Sequence, residues 1–287
     1  MNYQILIQNR RSARAFSDKK IPAHLVSEIR DYYGAVERLL PELETELHLF
    51  AEDVRDKLEG AAGYHQFLVG APHYLVLLSD PHPYAQLNAG YVMQDMLLKL
   101  FDMELDSCWL TFTDSEDVKG VLGIDSPMDV VAIAAFGYGK KTVRRLRLNI
   151  RSMSNVDLVA KHKYMEPKRS VEDMAFLNTW GNTHGVDRYI GFFDDMLWEA
   201  IYAASLAPSY LNRQAYGFLL QEGAVSLVSR PDHYNTKIDG DLSLGIVLLH
   251  FSAVAEELAG KLHWRFGPDA QSLDLPEGHR VIASCSL

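Results

Sequence analysis

The sequence predicts an α+β protein made of two related helix-and-sheet units. Long segments with apolar residues at helical spacing alternate with short apolar runs of strand length. The two halves of the chain present these elements in a similar order, although they share no residue-level repeat strong enough to establish a duplication. In each half, one long apolar helix, at 84–101 and at 242–258, is followed by a strand.

The elements of the first half follow from local pattern. A helix from 22 to about 40 begins at Pro22, where proline is tolerated, and repeats apolar residues at helical spacing. The run at 74–78 is continuously apolar, as in a buried strand, and residues 84–101 carry a long helical apolar face. The remaining elements are strands at 47–50, 108–112 and 130–136 and a helix at 115–122.

The second half is predicted to start with a helix at 194–206. Strands at 218–221 and 224–229, the helix at 242–258 and a strand at 281–285 complete it. Between the halves, residues 140–187 form a basic, polar bridge that is either a plain linker or a segment packed along a surface. We therefore expect a first unit at 1–150, a crossing segment at 151–190 and a second unit at 191–287.

Composition limits the classes of function. The 287 residues are 48% hydrophobic and 23% charged, which is typical of a globular protein and argues against disorder. The net charge of −10 disfavours a nucleic-acid partner, which would need a basic face. No apolar run is long enough to span a bilayer and no secretory leader is evident, so a cytoplasmic location is expected. Cys108 and Cys285 lack metal-ligand spacing, and no metal site is predicted.

Two separated segments carry the functional signal. The first is Arg10-Arg11-Ser12-Ala13-Arg14-Ala15-Phe16, near the amino terminus. The second is the loop Ala207-Pro208-Ser209-Tyr210-Leu211-Asn212-Arg213-Gln214, which follows a helix that stops at Pro208 and leads into a strand. Taken alone, the loop is an ordinary connection, and the arginines could be a solvated face paired with carboxylates.

Together, these two segments resemble the nitroreductase family of flavin-mononucleotide (FMN) enzymes. Members of that family carry an Arg-Arg-Ser-x-Arg-x-Phe type motif and an Ala-Pro-Ser-x-x-Asn-x-Gln-Pro-Trp type loop. Here the loop follows nearly two hundred residues after the motif, and Ala215-Tyr216 stands in place of Pro-Trp. The closer resemblance is therefore to the subgroup in which two protomers are fused into one pseudo-dimeric chain, which implies a nitroreductase-like α+β fold.

The fusion interpretation also rests on complementary loss. The first half has the arginine motif but no Ala-Pro-Ser-x-x-Asn type loop after its first long helix. The second half has this loop but no Arg-Arg-Ser motif at a matching distance before its first helix. Lys168-Arg169-Ser170 is similar to the motif but lies too far upstream of the helix at 194–206 to match it. A homodimer must build every contact twice, whereas a fused dimer is free to keep one site.

The resemblance implies one FMN between the halves and assigns roles to individual residues. Arg10 and Ser12 would reach the phosphate and ribityl chain, and Arg14 would support the ring edge that becomes negative on reduction. Arg11 is included among the cofactor-binding residues as part of the motif, with a side chain pointing away from the cofactor as the alternative. The other implied cofactor-binding residues are Leu110 and Thr111 on a strand, Arg147 or Arg151 in the basic bridge, and Pro208, Ser209 and Asn212 in the loop.

The implied reaction passes electrons from NADH or NADPH through FMN to a small planar acceptor such as a nitroaromatic or a quinone. The flavin carries this chemistry, so no catalytic side chain is assigned. A monomer is expected by fusion, although a dimer is an alternative. Three other functional hypotheses remain open. The protein could bind or sense FMN without turnover, act as an enzyme on flavin or a halogenated aromatic, or bind a partner without any cofactor.

Overall fold

The computed structural model describes residues 1–63, 68–140, 145–152, 155–161, 167–186, 195–267 and 273–286. The helices within these ranges are α1 (Tyr3–Asn9), α2 (Ala23–Ala35), α3 (Arg55–Leu58), α4 (Ala85–Asp102), α5 (Ser115–Leu122), α6 (Asp195–Ser205) and α7 (Lys237–Ala259). Short 3-10 turns lie at Glu52–Val54 and Tyr210–Asn212.

The first half contains a four-stranded antiparallel sheet. Its strands are β1 (Thr45–Ala51), β2 (His73–Ser79), β3 (Asp106–Leu110) and β4 (Asp129–Gly137), and their order across the sheet is β1-β2-β4-β3. The two central strands are buried along almost their whole length, which agrees with their continuous apolar sequence.

The second sheet repeats this order and gains a strand. In chain order the remaining strands are β5 (Arg145–Ser152), β6 (Asn155–Lys161), β7 (Ala175–Leu177), β8 (Tyr216–Gln221), β9 (Ala224–Ser229), β10 (Arg265–Phe266) and β11 (Arg280–Ser286). β8, β9, β11 and β10 are neighbours in that order and antiparallel, as in the first sheet. β7 adds to β8 in parallel, and β5 pairs with β6 in a separate hairpin.

Two long apolar helices, α4 and α7, pack against each other between the sheets. They approach so closely that a Cβ atom on Gly90 would lie 2.2 Å from the Leu242 carbonyl oxygen, and one on Gly245 would lie 2.0 Å from the Leu87 carbonyl oxygen. A side chain at residue 90 or 245 would therefore clash with the backbone of the facing helix, and glycine at these positions permits the close packing. The two contacts are reciprocal, because the same offset of 155 residues separates Gly90 from Gly245 and Leu87 from Leu242. Reciprocal pairs of this kind surround a two-fold axis.

The α+β fold class is confirmed, and most predicted elements differ from the observed ones by a few residues at their ends. The first long predicted helix ends at Ala35 instead of about Leu40, because the chain becomes extended at Val36 and the Leu40 N–H donates to the Asn88 side chain at 3.1 Å. The strand predicted at 108–112 lies at 106–110. It ends there because the next residues turn to residues 62–63, where the Gly63 N–H donates to the Thr111 carbonyl at 2.7 Å.

The bridge between the halves has structure of its own. It supplies the β5–β6 hairpin and then β7, which becomes part of the second sheet. The boundary expected at residue 150 falls inside β5, and the segment 151–190 contains β6 and β7. A plain linker is therefore excluded for the described part of this bridge.

Candidate functional site

The arginine segment lies along the edge of the first sheet. Beyond α1, residues 10–17 run beside β3 and the end of β4, and the Ala13 N–H donates to the Ser107 carbonyl at 2.9 Å. The Lys140 N–H donates to the Ala15 carbonyl at 2.8 Å and holds the far end of the segment. Backbone pairing therefore fixes the segment in place and leaves its side chains available for other contacts.

Arg10 is a buried cation. Its side chain is only 7% exposed, and its buried Nη1 has no hydrogen-bond partner among the described residues. Burial lowers the pKa of Arg10 to about 10, Arg11 adds to this effect, and Cys108 and Asp106 oppose it. The guanidinium is still protonated at neutral pH, so a charged donor is buried without an acceptor. Such a group fits an anionic ligand well.

Arg14 and Ser12 lie next to Arg10 on the same strand edge. Burial raises the pKa of the Cys108 thiol, and the positive charges of Arg14 and Arg10 oppose that rise, so both cations lie near this β3 residue. Ser12 pairs with Ser107 of β3 in a parallel bridge. Ser12 and Arg14 are both exposed, whereas Arg11 is half-buried and donates to the Arg10 carbonyl at 2.7 Å.

Two further uncharged site residues of the first half lie at the end of β3 and directly after it. Leu110 ends this strand and is buried in the core, and Thr111 follows it with a half-buried side chain. Arg10, Ser12, Arg14, Leu110 and Thr111 therefore share one edge of the first sheet.

The second motif forms a tightly held loop after α6. Gln214 is buried at its end and fastens it, because its side-chain nitrogen donates to the Ser205 carbonyl at 2.9 Å and its side-chain oxygen accepts from the Arg169 N–H at 3.0 Å. The Gln214 N–H also donates to the Ser209 hydroxyl at 3.1 Å. Asn212 donates its side-chain amide to the Pro167 carbonyl at 2.8 Å. The bridge preceding β7 is thus bonded to the loop.

The backbone of this loop is strained. Leu211, Asn212 and Gln214 have φ values of 48°, 56° and 48°, in the left-handed region that non-glycine residues rarely adopt. Each such residue costs roughly 1–2 kcal/mol. Strained residues cluster at ligand sites and persist only where surrounding contacts hold them, as the Gln214 contacts do here.

A buried polar chain joins the two halves beside Arg10. His250 of α7 donates from Nδ1 to the Ala203 carbonyl of α6 at 3.0 Å, and its Nε2 lies 2.9 Å from the Gln94 Nε2 of α4. Gln94 accepts from the Trp109 indole N–H of β3 at 3.0 Å. The assigned protonation follows from the partners: a carbonyl requires a proton on Nδ1, and the Gln94 amide requires Nε2 as an acceptor. Burial lowers the pKa of His250 to about 3, which keeps the ring neutral.

His250 also shows that the two motifs converge. Arg10 and Lys168 are the two cations that lower its pKa electrostatically, so the guanidinium and the ammonium lie around the same ring. Lys168 donates to the Ala207 carbonyl at 2.8 Å, at the start of the loop. The amino-terminal arginine, the bridge lysine and the loop after α6 therefore meet around one point between the units.

Two predicted basic residues are not placed by these contacts. Arg147 and Arg151 lie on β5, whose side chains are outside the part of the chain that the structure describes. Lys168 supplies a cation on the loop side of Arg10, a role that sequence spacing did not assign to it. The similarity of Lys168-Arg169-Ser170 to the arginine motif was the available signal, but its distance along the chain concealed its position.

A cavity of about 200 Å³ lies under the loop, lined in part by Ser209, Tyr216 and Ser243. Arg10 is not part of its lining, and its volume is below the range of pockets that hold a molecule as large as FMN. The Arg10 side of the loop is therefore the candidate site.

The family follows from sequence comparison. A family model described as "Putative TM nitroreductase" matches residues 3–176. The chain belongs to this nitroreductase family. Membership suggests an oxidoreductase, and the matched region includes the complete arginine motif and ends within β7. No curated protein matches the chain.

A solved structure with a TM-score above 0.5 supports the nitroreductase fold. A "putative nitroreductase" from Thermotoga maritima MSB8 is 18% identical, with a TM-score of 0.60 over 100% of this chain and 94% of its own. A nitroreductase family protein from Clostridium novyi NT is 16% identical over 49% of this chain and 87% of its own, with a TM-score of 0.44. An FMN-dependent nitroreductase from Clostridium difficile R20291 is 18% identical over 48% and 88%, with a TM-score of 0.42.

One described segment, Lys237–Glu257 in α7, is long and apolar enough to cross a membrane, with a mean hydropathy of 1.5. Within the protein, however, 72% of its apolar window is buried. A core helix of a globular protein has the same properties, and α7 packs in this manner against α4.

Proposed function

We propose that this nitroreductase-family protein is an FMN-dependent oxidoreductase that uses NADH or NADPH to reduce a small planar acceptor, such as a nitroaromatic or a quinone. The observation that carries the proposal is the buried, protonated Arg10, whose Nη1 has no hydrogen-bond partner in the part of the chain that the structure describes. An FMN phosphate bears nearly two negative charges and would supply the missing acceptors.

The described residues fit FMN from two sides. Arg10 and Lys168 would hold the phosphate, because both lie around His250. Ser12 and Arg14 would follow the cofactor along β3 towards Leu110 and Thr111, and Arg14 would stabilise negative charge on the reduced ring. The loop residues Pro208, Ser209 and Asn212 would form the opposite wall, since Lys168 and Pro167 bond the loop next to this site.

Bound FMN supplies two-electron transfer between the reduced nicotinamide and the acceptor. The protein's contribution is to bind and orient. Backbone pairing to β3 holds the Arg10 segment, and the Gln214 contacts hold the strained loop. The neutral His250 ring links α6 to α4 and so keeps the distance between the walls fixed.

The same proposal covers the organisation of the chain. We propose that residues 1–150 and 191–287 correspond to two fused protomers, joined by a crossing segment at 151–190, and that the chain acts as a cytoplasmic monomer on a small-molecule substrate. The repeated sheet order and the reciprocal contacts of Gly90 and Gly245 support the fusion.

The test is flavin binding followed by turnover. Purified protein is mixed with FMN and desalted, its visible spectrum is recorded, and FMN affinity is measured by fluorescence titration. We expect retained flavin, and Arg10→Ala should bind FMN about 10- to 150-fold more weakly, because a charge-assisted hydrogen bond contributes about 1.5–3 kcal/mol. Arg30→Ala, which removes an exposed cation of α2, is the matched control and should bind like the wild type.

Oxidation of NADH and of NADPH by the flavin-loaded protein is then followed at saturating acceptor. Turnover with either reductant supports an oxidoreductase, whereas retained FMN without any turnover establishes a binding or sensing protein instead. A colourless protein after desalting, with no measurable FMN affinity, refutes the proposed cofactor.

A further inference from the structure

We infer that the chain binds one FMN, at Arg10, and that the position related to Arg10 by the internal two-fold has become a carboxylate-lined cavity unable to hold the phosphate. The inference rests on the proposed function and deepens it, because it states which of two related positions is the site and why the other is not.

The two-fold relation extends beyond the glycine contacts. The offset of 155 residues that relates Gly90 to Gly245 also relates Trp109 to Trp264. Each indole N–H donates to a polar side chain on its neighbouring long helix, at 3.0 Å to Gln94 and at 2.8 Å to Ser252. The same offset therefore relates equivalent positions in α4 and α7 and in the strand regions that follow these helices.

This offset locates the counterpart of the Arg10 site. The charge of Arg10 lowers the pKa of His250, and His250 is hydrogen-bonded to Gln94; the counterparts of these two residues are Asp95 and Leu249. Asp95 and Leu249 both line a cavity of about 350 Å³ between α1, α4 and α7. The cavity therefore occupies the second, related position.

The two positions have opposite charge. The first has the cations Arg10 and Lys168 around a neutral histidine. The second is lined by four carboxylates. Lys261 pairs with one of them, Glu37, at 2.5 Å, and the positive amino terminus of Met1, also in the lining, opposes the rise in the pKa of Asp95. The four are Glu37, Asp95, Glu256 and Glu257.

The electrostatic consequence is visible in the carboxylates themselves. Burial raises the pKa of Asp95 and of Glu256. Hydrogen bonds from Tyr3 and Tyr32 to Asp95, and from the Leu262 N–H to Glu256, oppose these shifts, whereas the charge of Glu37 adds to both. A phosphate placed there would bring nearly two more negative charges against these groups. A volume of 350 Å³ lies within the range of ligand pockets, so charge and not size excludes the phosphate.

Among the described residues, helix α1 leads to an arginine at one of the two positions. Tyr3, at the start of the helix, belongs to the cavity lining, and Arg10 caps the other end of the helix. Tyr3 donates to the Asp95 carboxylate at 2.9 Å, and Tyr32 donates to its other oxygen at 3.1 Å. The arginine at the end of α1 therefore lies at one of the two positions, while Tyr3 in its first turn is hydrogen-bonded to the carboxylate at the other.

The test counts bound FMN. Wild type, Arg10→Ala and Glu257→Gln chains are dialysed to equilibrium against FMN, and bound flavin is quantified per chain. Glu257→Gln changes only the carboxylate cavity and leaves the Arg10 site intact. We expect one equivalent for the wild type and for Glu257→Gln, and a loss of that single equivalent for Arg10→Ala.

The outcomes separate the two claims. Two equivalents in the wild type, or one equivalent that persists at unchanged affinity in Arg10→Ala, overturn the single-site inference while leaving an FMN enzyme intact. No bound FMN in the wild type overturns the proposed function and this inference together.

Discussion

The substitution Gly245→Ala tests whether the contact between α4 and α7 governs the fold. The new Cβ would lie 2.0 Å from the Leu87 carbonyl oxygen and 2.9 Å from the Tyr91 backbone nitrogen. Both obstacles are backbone atoms of a buried helix, so no side-chain rotation relieves the clash. Reaching an ordinary contact of about 3.4 Å requires the helices to separate by roughly 1.4 Å, which opens gaps in the surrounding close-packed core.

The size of the effect can be worked from two opposing terms. Overpacking a core costs about 1–3 kcal/mol, and a clash with backbone belongs at the upper end of that range. Replacing a helical glycine by alanine stabilises the helix by about 1 kcal/mol, because alanine has the higher helix propensity. We therefore expect the free energy of unfolding to fall by about 2 kcal/mol or more.

The assay is urea unfolding followed by circular dichroism, with the midpoint and slope compared between variants. Gly120→Ala is the matched control, because Gly120 is an exposed residue of α5 whose added Cβ would contact nothing within 4 Å. The free energy of unfolding of Gly120→Ala should exceed that of the wild type by about 0.5–1 kcal/mol. Equal stability of the two variants would refute the close helix contact. The reciprocal Gly90→Ala should behave like Gly245→Ala, and the double variant should cost less than the sum, because one separation relieves both clashes.

Three further predictions concern the buried chain and the loop. His250→Leu leaves the Gln94 amide and the Ala203 carbonyl without their hydrogen-bond partner. The free energy of unfolding, measured in urea, should therefore fall by about 2–5 kcal/mol. The pKa of His250 is about 3 in the folded protein and near 6.5 when unfolded, so the unfolded chain binds the proton first. The stability of the wild type relative to His250→Gln should therefore fall by about 1.4 kcal/mol per pH unit as pH decreases from about 6.5 towards 4, and parallel pH profiles would contradict this. Asn212→Ala removes the hydrogen bond to the Pro167 carbonyl and should weaken FMN binding about fivefold in a fluorescence titration, whereas unchanged affinity would separate the loop from the site.

Much of the fold could be predicted from the sequence because the signals are local. The apolar runs at 74–78 and 130–136 became the buried strands β2 and β4, and the helical spacing at 84–101 became α4. The arginine motif and the loop after α6 could also be recognised, since each is continuous in the chain. Their family resemblance predicted the nitroreductase fold, which is confirmed.

The sequence by itself determined the elements and the chemical character of both motifs. Only the tertiary structure decided that Arg10 is buried with no acceptor for its Nη1 among the described residues, that Lys168 lies close enough to His250 to lower its pKa, and that the related position is lined by carboxylates. The physical reason is distance along the chain. His250 bonds to Gln94 156 residues away, and no local spacing or propensity encodes which distant side chains a close helix contact brings together.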